Sequence, residues 1–400
     1  MNKHDKNDNE ESLLSVFLST SQSIDEDIET AKEIIKQEGL NPQKLQQEGM
    51  AFITTLQTKA RTQSQLSLND LLKKLITAGF PKTLLEKRII PSALAIDWRK
   101  QNYASESGFI AAFVANIFGV SENDIWEGRT LTFANSPAGT AMFKAPVNAS
   151  ISQIKAYSYY AYYLAKLVAK SYNPINTEPL PEDIDEFKAN YINKYRSFDL
   201  RSLLNYAWEL GFCVLPLNDP GVFHGACWNI EGRRVIVLKQ TTKYHARWIF
   251  DLLHELYHAL AHLDQLNSAV VETQELNPFI NNDTLEEREA NTFSHQVLFG
   301  DRAEEILNHC VKLTKGRMEN LKTAVTNISR AENIREDILA NYVAFRLSLN
   351  DQNWWGPSAS FQITEPDPFI IATEILNKNV ATEGLNQMES SLLTIAISNN

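Results

Sequence analysis

Apolar residues recur at helical spacing through the first 172 residues of the chain. At 11–58 they follow the three- and four-residue repeat of amphipathic helices, and a polar stretch at 57–67 separates these from a second helical block at 68–172. Residues 1–10 are polar and acidic without any repeat, which predicts a disordered tail. The pattern therefore predicts all-helical N-terminal regions.

The pattern changes after a proline-containing acidic stretch at 173–185, which predicts a domain boundary. Short apolar runs of strand length follow at 212–217, 226–230 and 234–238, and Glu231-Gly232 supplies the turn of a hairpin between the last two. We expect a small antiparallel sheet packed on the helix that comes next.

Helices are predicted after the sheet at about 244–264, 284–299, 302–325 and 334–349. Together with the strands they predict a mostly helical α+β domain at 183–350. The remainder, 351–400, is weakly patterned, and we expect a C-terminal extension there.

Charge and cysteine content narrow the class of protein. The chain carries 38 Lys and Arg against 49 Asp and Glu, a formal net charge of −11, whereas a broad phosphate-binding surface needs clustered basic residues. Three cysteines do not make a disulfide framework and fit a reducing cytoplasm. The longest apolar run, at 109–120, is too short to cross a bilayer. We expect a cytoplasmic protein that does not bind membranes.

The segment 109–127 resembles the helix-turn-helix of phage-repressor-like regulators, with a Gly-Val-Ser turn between two predicted helices. Its second helix contains Glu122, Asp124 and Glu127 and no basic residue. Carboxylates repel phosphates, so direct nucleic-acid binding is not expected and a structural helical hairpin is the better interpretation.

The most informative residues form the motif His254-Glu255-Leu256-Tyr257-His258. On a helix, the two histidines lie about 40° apart on one face, so both rings can bind a single ion. Zinc takes nitrogen and carboxylate ligands in tetrahedral geometry. Glu255 is placed to accept a proton from a water molecule that the metal activates.

The helix around this motif is apolar on most of its circumference, which predicts that it is buried. The remaining arc, about 100° wide, holds Asp251, His254, Glu255, His258 and His262. A solvated stripe would instead carry Lys, Arg and Glu, so three histidines in this arc favour a metal site. Asp251 and His262 are candidates for orienting the ligands.

A catalytic zinc takes three protein ligands and leaves one position open. The acidic helix at 285–293 is the natural source of the third ligand. If its apolar residues face inward, Glu286 and Glu287 both point inward as well, and periodicity alone does not separate them. Asn291 shares this face and is a further candidate for orienting a ligand. His245, upstream of the motif, is a candidate donor to a transition-state oxyanion.

These residues resemble the ImmA/IrrE-type zinc metallopeptidases. The likeness lies in a hairpin followed by HELYH and in a downstream Glu-x-x-Ala-Asn-x-Phe motif that starts at Glu287, and it covers about residues 200–300 closely. In that family the two histidines and this glutamate bind the metal, and the HExxH glutamate is the general base. The resemblance therefore implies Zn²⁺ held by His254, His258 and Glu287, with Glu255 as the base.

Three positions depart from the family pattern. Tyr257 replaces the usual Gly, Ser294 stands where Ala is usual, and Phe299-Gly300 replaces Met-Pro. None of these changes removes a metal ligand. The first changes the packing beside the metal.

The resemblance implies a zinc metalloendopeptidase that cleaves a regulatory protein in a phage, mobile-element or stress response. The expected substrate is a repressor or antitoxin-like protein, in particular a helix-turn-helix regulator. A non-catalytic binding module or a toxin-type effector with the same fold is the main alternative, and a DNA-binding regulator is the third. An intact HExxH with a further acid favours the enzyme, because binding alone does not require Glu255.

Overall fold

The computed structural model describes the following parts of the chain: 67–94, 107–127, 151–172, 177–196, 198–218, 225–263, 269–272, 285–348 and 351–398. The predicted tail at 1–10 and the predicted helices at 11–58 lie outside these residues. Ser67–Asn400 forms one compact unit. The finer domain boundaries expected from the sequence stay predictions.

Helices precede the sheet, in line with the apolar repeat. They are α1 (Leu68–Thr77), α2 (Lys82–Leu84), α3 (Ile90–Ala93), α4 (Ser107–Phe118), α5 (Glu122–Glu127), α6 (Ile151–Ser171), α7 (Ile184–Tyr195) and α8 (Leu200–Glu209). A π-helical turn at Leu85–Ile89 joins α2 to α3. α4 and α5 form the predicted helical hairpin, which turns at Gly119 with a φ of 60°. α6 packs on the sheet.

The sheet contains four strands in the order β1-β3-β2-β4, namely β1 (Phe212–Leu217), β2 (Gly225–Ile230), β3 (Arg233–Lys239) and β4 (Ala269–Glu272). β2 and β3 form the predicted antiparallel hairpin. Glu231 and Gly232 have φ values of 52° and 83°, as a two-residue turn between twisted strands requires.

The expectation of a purely antiparallel sheet was wrong, because β1 and β3 are parallel, with Phe212 opposite Arg234. β3 returns from the hairpin and inserts between β1 and β2. The turn at 231–232 is visible in the sequence. Which strand pairs with the other edge of β3 is instead decided by tertiary packing. The fold class itself, α+β and mostly helical, is as predicted.

Further helices follow the strands, namely α9 (His245–Ala261, before β4), α10 (Leu285–Phe299), α11 (Ala303–Thr314), α12 (Leu321–Glu332), α13 (Glu336–Ser348), α14 (Trp355–Ala359), α15 (Pro368–Asn379) and α16 (Gln387–Ala396). Short 3₁₀ turns lie at Gly300–Arg302, Met318–Asn320 and Thr382–Gly384. The helix predicted at 302–325 is broken into α11 and α12, because Lys315 and Gly316 adopt left-handed φ values of 51° and 72°.

The weakly patterned segment after residue 350 also contains regular structure. α15 packs against β1 and α8, and its Phe369, Ile371 and Ile375 are buried. These contacts make the C-terminal helices part of the same core as the sheet.

Helix α9 lies between the sheet and α10, with contacts to β2, β3 and α10. Trp248, Ile249, Leu252, Leu253 and Leu256 are all at most 1% exposed, which agrees with the all-round apolar pattern of this helix. This position brings its polar arc against α10. In the part of the chain that the structure describes, no helix is both long and apolar enough to span a membrane.

Candidate metal centre

Two histidine rings meet on the buried face of α9. The Nε2 atoms of His254 and His258 are 3.0 Å apart, and both side chains are fully buried. The four-residue spacing stacks the two residues on one face of the helix. Burial lowers the pKa of His258 to about 4, so its ring is neutral at pH 7 and offers a lone pair to a metal.

Helix α10 supplies a carboxylate to the same point. One oxygen of Glu287, Oε2, lies 3.3 Å from Nε2 of His254, and the other, Oε1, lies 3.6 Å from Nε2 of His258. Among the described residues, His254, His258 and Glu287 form the one group of histidine, cysteine and acidic side chains suited to holding a metal ion. Glu286, which periodicity did not separate from Glu287, is not in this group.

The spacing of these three side chains fits a tetrahedral ion. Ligand atoms bonded to zinc at about 2.0–2.2 Å in tetrahedral geometry lie about 3.3 Å from each other. The three separations found here, 3.0, 3.3 and 3.6 Å, lie around that value. Two nitrogens and one carboxylate oxygen are also the donor set of many catalytic zinc sites. The residues therefore fit a zinc ion.

Asn291 contacts the ring nitrogen of His254 that faces away from Glu287 and His258. Its Oδ1 lies 3.1 Å from Nδ1 of His254, and the residue is buried. An Nδ1 that donates a proton to this amide oxygen leaves Nε2 unprotonated and directed at the metal position. The structure thus places Asn291 where the sequence suggested an orienting residue.

Glu255 points from α9 towards the first residue of β2. Its side chain is 1% exposed, and neither carboxyl oxygen has a hydrogen-bond partner among the described residues. Burial raises the pKa of Glu255 to about 8; His254 opposes this rise, and the carboxylates of Glu287 and Asp251 add to it. A carboxyl in this state is suited to exchanging protons near neutral pH.

Gly225 was missed by the sequence analysis, although it shapes the site. A Cβ atom placed on Gly225 would lie 1.8 Å from Oε1 of Glu255, so the carboxyl rests directly against the backbone of β2. The signal available in the sequence was a glycine at the start of a strand, which often marks a close approach.

Asp251 and His262, the two other candidates from the polar arc, lie near His254, His258 and Glu287 but are not part of that group. Oδ2 of Asp251 accepts a hydrogen bond of 2.6 Å from Nε2 of Gln240, and its charge acts on Glu255. His262 follows α9, and its ring centre lies 5.5 Å from that of His258. Both flank the centre, and neither belongs to the group that can hold an ion.

His245 lies away from the group formed by His254, His258 and Glu287, and its expected role as a transition-state donor stays a prediction. It is the first residue of α9, nine residues before His254, which corresponds to about 13 Å along the helix. Its Nε2 lies 2.8 Å from the carbonyl oxygen of Pro366, and its backbone N–H donates to Ile363. These contacts join the start of α9 to the C-terminal segment.

The residues that depart from the family pattern are accommodated by local contacts. Tyr257 donates a 3.0 Å hydrogen bond to Glu289 of α10, and its ring lies 5.5 Å from that of Phe293. The Ser294 hydroxyl donates to the Ala290 carbonyl within α10. Phe299 stacks on Tyr342. Tyr257 therefore ties the two helices that carry the ligands to each other.

Comparison with known families agrees with this geometry. Residues 219–309 match the model of the family Peptidase_M78, described as an IrrE N-terminal-like domain. The match confirms the resemblance to ImmA/IrrE-type metallopeptidases and spans β2, β3, α9 and α10, including every residue of the metal centre. Comparisons with curated proteins and with solved structures gave no match.

Proposed function

We propose that this chain is a zinc-dependent endopeptidase that cleaves a regulatory protein, in particular a helix-turn-helix repressor or an antitoxin-like protein, in the cytoplasm. The observation that carries the proposal is the group of His254, His258 and Glu287, with the buried carboxyl of Glu255 beside it, which has no hydrogen-bond partner among the described residues. The match to a peptidase family supports the reaction class. The choice of substrate is supported by the resemblance alone.

The side chains divide the work of peptide hydrolysis. His254, His258 and Glu287 would hold the ion, which when bound polarises the scissile carbonyl and lowers the pKa of a water molecule. Glu255 removes a proton from the attacking water and later gives it to the leaving amine. Asn291 keeps the His254 ring in the orientation that directs Nε2 at the ion.

The first experiment tests the metal centre. After reconstitution with zinc and removal of the excess, the wild type should retain about one zinc per chain by elemental analysis, and His258→Ala should retain little. His309→Ala, which changes an exposed histidine on α11, is the matched control and should bind like the wild type. A wild type that stays free of zinc would refute the site.

The second experiment tests the reaction. The protein is co-expressed with candidate helix-turn-helix regulators from the same genome, and each regulator is examined by mass spectrometry. Cleavage should occur with the wild type and disappear with Glu255→Gln, because an amide cannot accept the proton. If both proteins have the same biological effect and neither yields a cleavage product, a binding module or a toxin-type effector is the correct interpretation.

A further inference from the structure

Gly225 and Glu255 are in closer contact than any other residue at position 225 would permit. A Cβ on Gly225 would lie 1.8 Å from Oε1, 2.6 Å from Cδ and 3.2 Å from Cγ of Glu255. The backbone of Gly225 is outside the left-handed region that favours glycine. Since the conformation is open to other residues, the carboxyl of Glu255 is what requires glycine here.

The contact follows from the way β2 lies along α9. Gly225 meets Glu255 at one end, and Nδ2 of Asn229 donates a 2.8 Å hydrogen bond to the carbonyl oxygen of Leu263 at the other. The four steps from residue 225 to 229 span about 13 Å of strand, and the eight steps from residue 255 to 263 span about 12 Å at helical rise. Strand and helix therefore advance together, and alternate residues of β2 face α9.

The strand has little freedom to move away. Gly225 pairs with Leu238 of β3 on one side and with Glu272 of β4 on the other. A larger residue would therefore displace the more mobile partner, which is the Glu255 side chain. To restore ordinary contact distance the carboxyl would have to move by roughly 1.5 Å.

We propose that Gly225 is a positioning residue for Glu255. Its missing side chain leaves a slot in β2 that holds the carboxyl beside the metal centre. The catalytic part of this inference rests on the proposed function, whereas the occupation of the slot does not. A displacement of about 1 Å in a catalytic group can lower the rate by about 10²-fold. The metal ligands on α9 and α10 do not occupy the slot. Metal binding should therefore persist when a side chain at position 225 fills it.

The first arm of the test measures stability and needs no substrate. Gly225→Ala should lower the free energy of unfolding when Glu255 is present. In the Glu255→Ala background the methyl group has room, so the same change should be neutral or stabilising, because Gly weakens a strand interior. Gly108→Ala on α4, where an added Cβ meets no atom within 4 Å, should have the same effect in both backgrounds.

The second arm measures zinc and catalysis. Gly225→Ala should keep about one zinc per chain while kcat falls by about 10²-fold. Glu255→Asp is one methylene shorter and withdraws from the slot. Glu255→Asp should therefore lower kcat when position 225 is Gly. In the Gly225→Ala background the same substitution should raise kcat. This reversal is not expected from a general loss of structure.

Each outcome decides a separate point. An equal loss of stability from Gly225→Ala in both backgrounds would overturn the slot. If Gly225→Ala does not fold, the double variant with Glu255→Ala decides: folding supports the slot, and failure to fold overturns it. Wild-type kcat in Gly225→Ala would overturn the positioning role. The wild type could lack peptidase activity while Gly225→Ala still lowers stability only when Glu255 is present. That result would uphold the slot and refute the proposed function.

Discussion

Replacing the buried carboxyl of Glu255 by an amide should stabilise the metal-free protein. Glu255 has a pKa of about 8 in the folded chain, against 4.5 as its ordinary value, chiefly because of burial. Between these two values, unfolding releases a proton. Below pH 4.5 Glu255 is protonated in both states and does not lower the free energy of unfolding. As the pH rises from 4.5 towards 8, the free energy of unfolding falls.

At a pH below the folded-state pKa, the magnitude follows from how far the pH lies above the unfolded-state pKa. At pH 7 the folded protein retains a proton that the unfolded chain, with a pKa of 4.5, releases; pH 7 lies 2.5 units above that pKa, which corresponds to about 3 kcal/mol at 1.36 kcal/mol per unit. At pH 5 the same difference is about 1 kcal/mol or less. Glu255→Gln has no proton to retain, so it avoids this loss.

The assay is denaturant unfolding of wild type and Glu255→Gln after removal of metal by a chelator, at pH 5 and pH 7. The variant should be more stable by about 3 kcal/mol at pH 7 and by about 1 kcal/mol or less at pH 5. Titrating groups that do not interact with Glu255 are common to both proteins and cancel in the difference. Glu319→Gln, which changes an exposed carboxyl, should not show this gain.

Saturation with zinc should shrink the difference at pH 7, because a nearby cation favours the ionised carboxylate. A Glu255→Gln variant that is equally or less stable than the wild type at both pH values would refute the reasoning. It would mean that the carboxyl is ionised in the metal-free fold and has hydrogen-bond partners or solvent there.

Further predictions concern the residues around the candidate zinc site. Zinc affinity is measured for each variant by competition with a chelator. Glu287→Gln should weaken zinc binding and abolish cleavage, whereas Glu286→Gln should be tolerated; the reverse would place the third ligand one residue earlier. Asn291→Leu should weaken zinc binding by about 10–100-fold, because the His254 ring loses its acceptor, and Asn291→Asp should restore tight binding. Equal affinities for both Asn291 variants would contradict an orienting role.

The sequence was sufficient to predict the elements whose signals are local. The HELYH helix was predicted because its apolar residues surround a narrow polar arc, and the structure buries those residues at α9. The hairpin was predicted because Glu231-Gly232 fits a two-residue turn between apolar runs. Both features depend on neighbours within a few residues of one another.

Features that depend on distant partners could not be predicted in the same way. Periodicity gives the direction of a side chain around its own helix axis, but Glu286 and Glu287 are separated only by how α10 packs on α9. His245 has a suitable ring, yet its partner is a carbonyl more than one hundred residues away. Gly225 gives no chemical signal at all, since its contribution is the space that it leaves for Glu255.

The charges around the histidines show how a bound cation would act on Glu255. Burial raises the pKa of Glu255, His254 opposes this rise, and the carboxylates of Glu287 and Asp251 add to it. Without a positive ion, this part of the core therefore retains a proton on Glu255 near neutral pH. A divalent cation between His254 and Glu287 would offset that repulsion and allow both glutamates to be ionised. On the proposed function, Glu255 would therefore act as a base only when the ion is bound.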